Sequence, residues 1–577
     1  MSTLSGATDL RALLEPSGPA PAGPRVGTLT EALEEAAHGP GGYRLLAGEK
    51  PPAELPHAEV LERAARAAAH LIHLGVRRGD RVVVMLPTSI DFLSSFFGTL
   101  MAGGIPVPVA PVPVFGSPER TLQTLAHIVR DSEARILITD SRTAAARETL
   151  TANCTTLSAL VLPEQMVPPP GPGAAFPSPD PEDIALIQYT SGTTSLPKGV
   201  EVSHRALLWN VYGIGQRIQM SPADVGVSWL PLFHDMGLIG AMLTSLYWQY
   251  LLVLLPTESF LMHPRRWLQA ISKQRGTLSV APNFAYRLTT NRIDEARMEG
   301  LDLSSWRVAL NGSESIDVES VGAFAQKFGR VGYDGRAMTP VYGLAENCLA
   351  VTFPPRGEAV RSLAIDRAAL EGERVVRGAS DGAPSASVVS CGTPLDGQRV
   401  AILDEDGQVR REGEVGEIVV GGPCVMKGYH RDEEKTARTL AGGWLHTGDL
   451  GFVLEGRLHV TGRSKELIIR RGRNYYPYDI ERIAASVTGA SAAAIGLENR
   501  EEGTEDLVLI VESKARGDED QAALRKQINA EVLAELGIAA ERIVFCPSRS
   551  LPRTTSGKLQ RSLCKRRYLD GTLPVTG

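Results

Sequence analysis

An α/β fold, with helices layered on sheets, is what this sequence predicts on three observations. The first is alternation. Residues 61–74 form an amphipathic stretch ending at Gly75; the chain then turns through residues 76–80 into the apolar run 81–86, and the same helix–turn–strand order returns over 126–139. The second is a change of period near residue 395. From Val400 the apolar runs become short and β-like, at 400–403, 416–420 and 458–460, with turns such as Asp404-Glu-Asp-Gly407 between them. The third is that a new α/β pattern, basic and then helical, follows Gly462. Together these predict a large N-terminal domain over 1–462, built of layered α/β subdomains plus a small β-rich one, and a small α/β C-terminal domain over 463–577.

Taken in order, residues 1 to about 50 are rich in Pro and Gly and poorly patterned. Residues 92–106 read as an apolar helix stopped by Gly103-Gly104, with 105–109 following as a strand or edge. Residues 166–181 are Pro-rich and read as a connector into the buried strand 184–188. Residues 238–256 carry no charge and approach the length of a membrane span, but Gly240, Thr244, Ser245 and Gln249 interrupt them. The reading is a buried helix followed by a buried strand.

The chain has 577 residues, 43% hydrophobic and 22% charged, with a net charge of −6. That is an ordinary globular balance with no basic field for nucleic acid. The six cysteines are far apart and form no Cys-x-x-Cys pair, which argues against a zinc or redox centre and fits a reducing cytoplasm. The N-terminus shows no secretion signal, so the expected location is cytoplasmic.

The most informative stretch is Tyr189-Thr-Ser-Gly-Thr-Thr-Ser-Leu-Pro-Lys-Gly199. Glycine and proline make it a loop, hydroxyls crowd it, and Lys198 adds one cation. Small residues let backbone approach a bulky anion, and hydroxyls and N–H groups donate to its oxygens. Pro197 stands where a Walker A loop needs glycine. Thr190, Ser191, Gly192, Thr193, Thr194 and Lys198 are therefore candidate polyphosphate ligands.

This loop resembles the phosphate loop of the adenylate-forming superfamily (acyl- and aryl-CoA ligases, luciferases, adenylation domains). Further motifs follow in that superfamily's order. Val341-Tyr-Gly-Leu-Ala-Glu346 resembles the segment that meets the nucleotide, which implies Tyr342, Gly343 and Leu344 at the adenosine. It also implies Glu346, with Thr190, as ligands of Mg2+ beside ATP, hard oxygen donors for a hard cation. Asn311 and Gly312 belong to the same nucleotide set. Trp444-Leu-His-Thr-Gly-Asp449 and Thr461-Gly-Arg-Ser-Lys465 imply Asp449 and Arg463 at the ribose and Lys465 as the hinge about which a mobile C-terminal domain turns. His234, in Leu230-Pro-Leu-Phe-His-Asp-Met-Gly237, would line the passage from acyl pocket to thiol site. Lys558, in Leu551-Pro-Arg-Thr-Thr-Ser-Gly-Lys558, would reach the substrate carboxylate and phosphates, and is expected to be exposed without ligand.

Within the superfamily, the segments His234–Ile239, Ala281–Tyr286, Leu310–Glu314, Tyr342–Phe353 and Arg471–Pro477 look most like fatty acyl-AMP ligases. Between Glu346 and Cys391 lie 44 residues, more than in typical CoA ligase relatives, with an insertion at about 354–388. The resemblance implies ATP-dependent conversion of a fatty acid to acyl-AMP. Transfer to the phosphopantetheine of a separate holo acyl carrier protein, or of a carrier domain of a polyketide or peptide synthetase, follows. No Gly-x-Asp-Ser-Leu-like attachment motif occurs in the chain. Ser313 stands where the family often has alanine, with little expected effect. From Arg549 to Asp570 there are seven basic residues against one acid, either a solvated face or a docking surface for an acidic carrier. Two other readings stay open: a fatty acyl-CoA ligase, and an inactive fatty-acid- or nucleotide-binding protein.

Overall fold

The computed structural model describes residues 11–15, 21–46, 51–112, 118–144, 150, 154–167, 175–190, 197–380, 382, 384–470, 473–499, 504–513, 517–554 and 558–575. Its largest sheet has seven strands in the order Met338–Pro340, Val308–Asn311, Leu278–Ala281, Val225–Ser228, Leu251–Leu254, Gly42–Leu45 and Ala53–Pro56. All neighbours are parallel except the last pair. Runs such as Leu-Leu-Val-Leu over 251–254 suit a parallel sheet covered on both faces, where alternation would bury polar groups. A second, four-stranded parallel sheet is ordered Ile105–Pro108, Arg81–Met85, Ile136–Thr139 and Ala159–Val161.

Helices layer on these sheets by their apolar stripes. His57–His73 buries Val60, Ala64, Ala67, Ala68 and Leu71, a 3.6-residue period. Its neighbour Ile90–Met101 is capped by Ser89, whose hydroxyl accepts from the Phe92 N–H at 3.1 Å. The two helices meet at Gly98, where a Cβ would lie 2.6 Å from that of Ala67, so only glycine allows the approach.

The β-rich part is a six-stranded antiparallel sheet containing Arg399–Leu403, Gly416–Gly421, Trp444–Leu454 and Arg457–Arg463. After the turn Ser464–Glu466 comes the small C-terminal domain. Its three-stranded sheet (Ala492–Asn499, Thr504–Glu512, Arg542–Cys546) is flanked by helices Pro477–Thr488, Asp518–Leu536 and Arg561–Leu569. It has apolar clusters of its own, around Ile480, Leu509 and Phe545 on one face and Ile495, Val508 and Cys564 on the other.

Three readings need correction. Residues 1–50 are not unpatterned throughout: Leu29–Ala37 is a helix and Gly42–Leu45 a strand of the main sheet. The helix escapes notice because it has only nine residues and its buried stripe, Leu29, Ala32, Leu33 and Ala36, is half alanine. The 189–199 stretch is not all loop. Tyr189 and Thr190 end one strand, Lys198 and Gly199 begin the next, and Thr190 pairs with Lys198. Within 238–256, the expected buried helix and strand are present, but Leu238–Leu243 is π-helical. No helix among the described residues is long and apolar enough to cross a membrane.

Candidate active site

The site grows from the ends of strands. Ile184–Thr190 and Lys198–Ser203 form an antiparallel pair on either side of the segment expected to bind phosphates. Ser191, Gly192, Thr193 and Thr194 lie outside the described residues. At the hairpin's base the Lys198 amine donates to Asp432 at 2.9 Å. Gln188, two residues before Thr190, donates to the Phe233 carbonyl at 3.1 Å, tying the hairpin to the loop that carries His234.

His234 starts a short helical turn, with its Nδ1 2.5 Å from Asp235 Oδ1. The approach is off-line for a hydrogen bond. Burial alone would raise the Asp235 carboxyl, but His234 and then Lys558 hold it down at about 2. Opposite, Glu314 follows Ser313, whose φ of +77° makes a sharp turn, and accepts from the Phe284 N–H at 2.5 Å.

The residues expected at the nucleotide are largely buried. Asn311 ends its strand with no exposed surface. Its Nδ2 donates to Asn283 at 3.1 Å, while its Oδ1 has no partner among the described residues. A buried amide oxygen without a donor is costly unless a ligand supplies one. At Gly312 a Cβ would strike Val341 at 2.6 Å, and at Gly343 it would meet the Leu349 carbonyl at 1.9 Å, so both positions exclude a side chain. Leu344 is buried beside them.

Asp449 and Arg463 face each other across paired strands, after a register shift between Leu450 and Gly451. Asp449 Oδ1 accepts from Arg463 Nε at 2.7 Å, and Oδ2 from the Tyr342 hydroxyl at 2.8 Å. The Asp449 charge raises the Arg463 guanidinium further above its ordinary range. Each carboxylate oxygen keeps a lone pair for a ligand hydroxyl.

Glu346 lies on the turn Ala345–Asn347 and accepts from the Tyr429 hydroxyl at 2.8 Å through Oε1. No group of three metal-binding side chains occurs among the described residues. One carboxylate fits Mg2+, which keeps waters and takes most of its remaining ligands from phosphates.

Lys558 is not exposed as expected. It is partly buried, in a turn where its N–H donates to the Thr554 hydroxyl at 3.0 Å. Burial lowers its ammonium below the ordinary lysine range, and Asp235 and Glu314 of the large domain partly offset that. The two domains thus meet at this amine. Lys465 sits exposed in the interdomain turn Ser464–Glu466.

The basic C-terminal run is not one surface. Arg561 turns inward, donating to both oxygens of Glu481 at 2.7 Å and to Glu466 at 2.6 Å. Arg553 donates to Ser491. Arg549 and Arg566 remain exposed. Sequence reading passed over Tyr429, Asp432, Asp235, Glu314 and Arg561. Asp235 and Glu314 stand inside motifs already in view, whereas the others gain meaning only from their partners.

Residues 33–430 match the family model described as AMP-binding enzyme. The chain belongs to the AMP-binding enzymes. Residues 465–577 match a second model, the AMP domain of Disco-interacting protein 2-like proteins. A medium-chain fatty acid–acyl-carrier-protein ligase of Moorena producens is 34% identical over 574 residues, covering 95% of this chain and 96% of its own. A relative from Caulobacter vibrioides, named as an acyl-CoA synthetase, is 35% identical and covers 94% and 96%. Among solved structures, one from a study of fatty acyl-adenylate ligases of E. coli and L. pneumophila superposes with a TM-score of 0.88 at 35% identity, covering 95% and 99%. As an AMP-binding enzyme, the chain has the family's large N-terminal and small C-terminal domains, and its resemblance to fatty acyl-AMP ligases is borne out.

Proposed function

We propose that this enzyme joins a fatty acid to AMP and then passes the acyl group to the phosphopantetheine thiol of a separate carrier protein. The observation that carries the reading is convergence. The Lys558 amine from the other domain lies in the field of Asp235, Glu314 and the paired Asp449 and Arg463, the residues expected at the ribose, and Asn311, three residues before Glu314, holds a buried amide oxygen with no partner among the described residues.

The chemistry asks little acid–base work of the protein. A fatty carboxylate is ionised at neutral pH and attacks without a base. Its oxygen bonds to the α-phosphorus, the bond from that phosphorus to the bridging oxygen breaks, and pyrophosphate leaves. The barrier is repulsion between anions and their poor alignment. Lys558 offsets the repulsion where charge develops, and the Thr190–Lys198 hairpin holds the leaving pyrophosphate. Glu346 and Thr190 would hold Mg2+, which when bound screens the phosphate charge. In the second step the carrier's thiolate sulfur attacks the acyl carbonyl carbon and AMP departs, with His234 lining the thiol's route. The domain boundary is placed at Gly462–Lys465, with Lys465 the hinge. Six buried, unpaired thiols suit a cytoplasmic location.

The inserted segment supports a carrier over free CoA. Its hairpin Ser362–Asp366 and Ser385–Val389 packs Ile365, Leu370 and Val388 with Tyr476 of the C-terminal domain. Arg367 donates to Asp479 at 2.7 Å across the same contact. These bonds must break if that domain is to turn, and a carrier can offset the cost through protein contacts that CoA lacks.

The test is incubation with ATP, Mg2+ and fatty acids of several lengths without any thiol. The expected result is fatty-acid-dependent pyrophosphate release and acyl-AMP. Pyrophosphate release that ignores the fatty acid would overturn the reading. Removing about 20 residues from the insertion should then raise acyl-CoA output when CoA is supplied.

A further inference from the structure

One cation beside the phosphate hairpin has no role in the account so far. Lys435 lies in the helix Glu433–Thr439, whose N-cap is Asp432. Asp432 Oδ1 accepts from the Lys435 N–H at 3.1 Å, while its Oδ2 takes the Lys198 amine at 2.9 Å. One carboxylate therefore fixes both lysines. The Lys435 amine does not turn back to that carboxylate. It sits 3.4 Å from the centre of the Tyr429 ring, the same tyrosine whose hydroxyl is on Glu346. Among the described residues it forms no ion pair, although the side chain is partly buried. Its charged neighbours are Lys198, Glu346, Asp432 and Lys465. Burial first, then Lys198, lower its ammonium to about 8. A half-buried amine next to a second lysine, without an acid of its own, suits an anion carrying several charges.

We propose that Lys435 is a second polyphosphate-binding cation, acting with Lys198 on the triphosphate of ATP and on the pyrophosphate that leaves. Tyr429 then has two duties. Its ring seats Lys435 and its hydroxyl orients Glu346, so the metal side and the cation side of the phosphates share one aromatic scaffold. The inference rests on the hairpin being the phosphate site.

The test is fatty-acid-dependent ATP–pyrophosphate exchange with Lys435→Met, Lys435→Arg and Lys198→Met, alongside thermal melting. Lys435→Met keeps the stem packed on Tyr429 and removes the charge. It should raise the KM for ATP about tenfold and weaken pyrophosphate inhibition similarly, leaving the KM for fatty acid in place. Lys435→Arg should recover most of the affinity. If Lys435→Met fails to fold, Lys435→Gln takes its place. The proposal is overturned if Lys198→Met shows the defect and Lys435→Met does not, or if the Arg and Met variants lose equally, which marks a structural role. If Lys198→Met also binds ATP normally, the phosphate-site reading falls and takes this one with it.

Discussion

The residues proposed to frame the nucleotide and the C-terminal domain are built on opposite terms. Asn311, Tyr342 and Asp449 are 0%, 8% and 6% exposed and sit on strands backed by the two largest apolar clusters. The C-terminal domain has separate, smaller cores, and among the described residues its contacts with the rest include Arg367 to Asp479, Asn474 to the Glu371 carbonyl, Tyr476 against Leu450 and Phe452, and the field around Lys558. Large interdigitated apolar cores resist rearrangement, whereas a contact made of one small apolar cluster and polar bonds is more readily exchanged. The difference teaches where each task is placed. On the proposed function, substrate binding would belong to the part with the larger cores, and the reactive cation, Lys558, to the domain proposed to move.

The sharpest way to break this contrast is Lys558→Ala. Acyl-AMP formation should fall by orders of magnitude, since a cation placed at developing charge in a shielded site contributes roughly 3 kcal/mol or more. ATP binding, measured by calorimetry, should change far less. Equal losses in both would mean that the small domain also holds the nucleotide.

Lys465→Pro comes next. It fixes φ and removes an N–H in the interdomain turn. Transfer to a thiol should drop about tenfold while adenylation changes little, because only the second step is expected to need the other domain pose. Parallel losses would make Lys465 merely structural.

The smallest effect concerns pH. Burial pushes the Glu371 carboxyl up to about 7, despite the Arg367 guanidinium at 3.2 Å. Arg367, Asp479 and Arg473 are the charged groups facing it. A raised acid stabilises the fold while it stays protonated, so its contribution is full below its ordinary 4.5 and is lost as pH rises through about 7. The melting temperature should therefore decline modestly between about pH 5 and pH 8, and Glu371→Gln should flatten that slope. A slope that persists in Glu371→Gln belongs to other groups.

What the sequence made legible follows from how local each signal is. The strand Ile184–Thr190 is a continuous apolar run, and Asp449 and Arg463 stand in short motifs that need no partner to be noticed. Their direct pairing was not legible, because it depends on the register shift after Leu450. Arg561 in a basic run reads as solvated until Glu466 and Glu481 are seen around it. Lys435 is hidden for the same reason: a lysine after two glutamates on a short helix looks like surface until Tyr429 is folded beneath it. The helix Leu29–Ala37 was missed because an alanine stripe carries weak periodicity.

The most direct test of the account is a competition in one vessel: the intact enzyme, ATP, Mg2+, one fatty acid, and equal concentrations of CoA and a cognate holo carrier protein, with acyl-AMP, acyl-CoA and acyl-carrier quantified by mass. The account predicts acyl-carrier as the main thioester, with acyl-AMP accumulating as carrier runs out and little acyl-CoA at any time. Acyl-CoA as the main product would contradict it and make the enzyme a fatty acyl-CoA ligase.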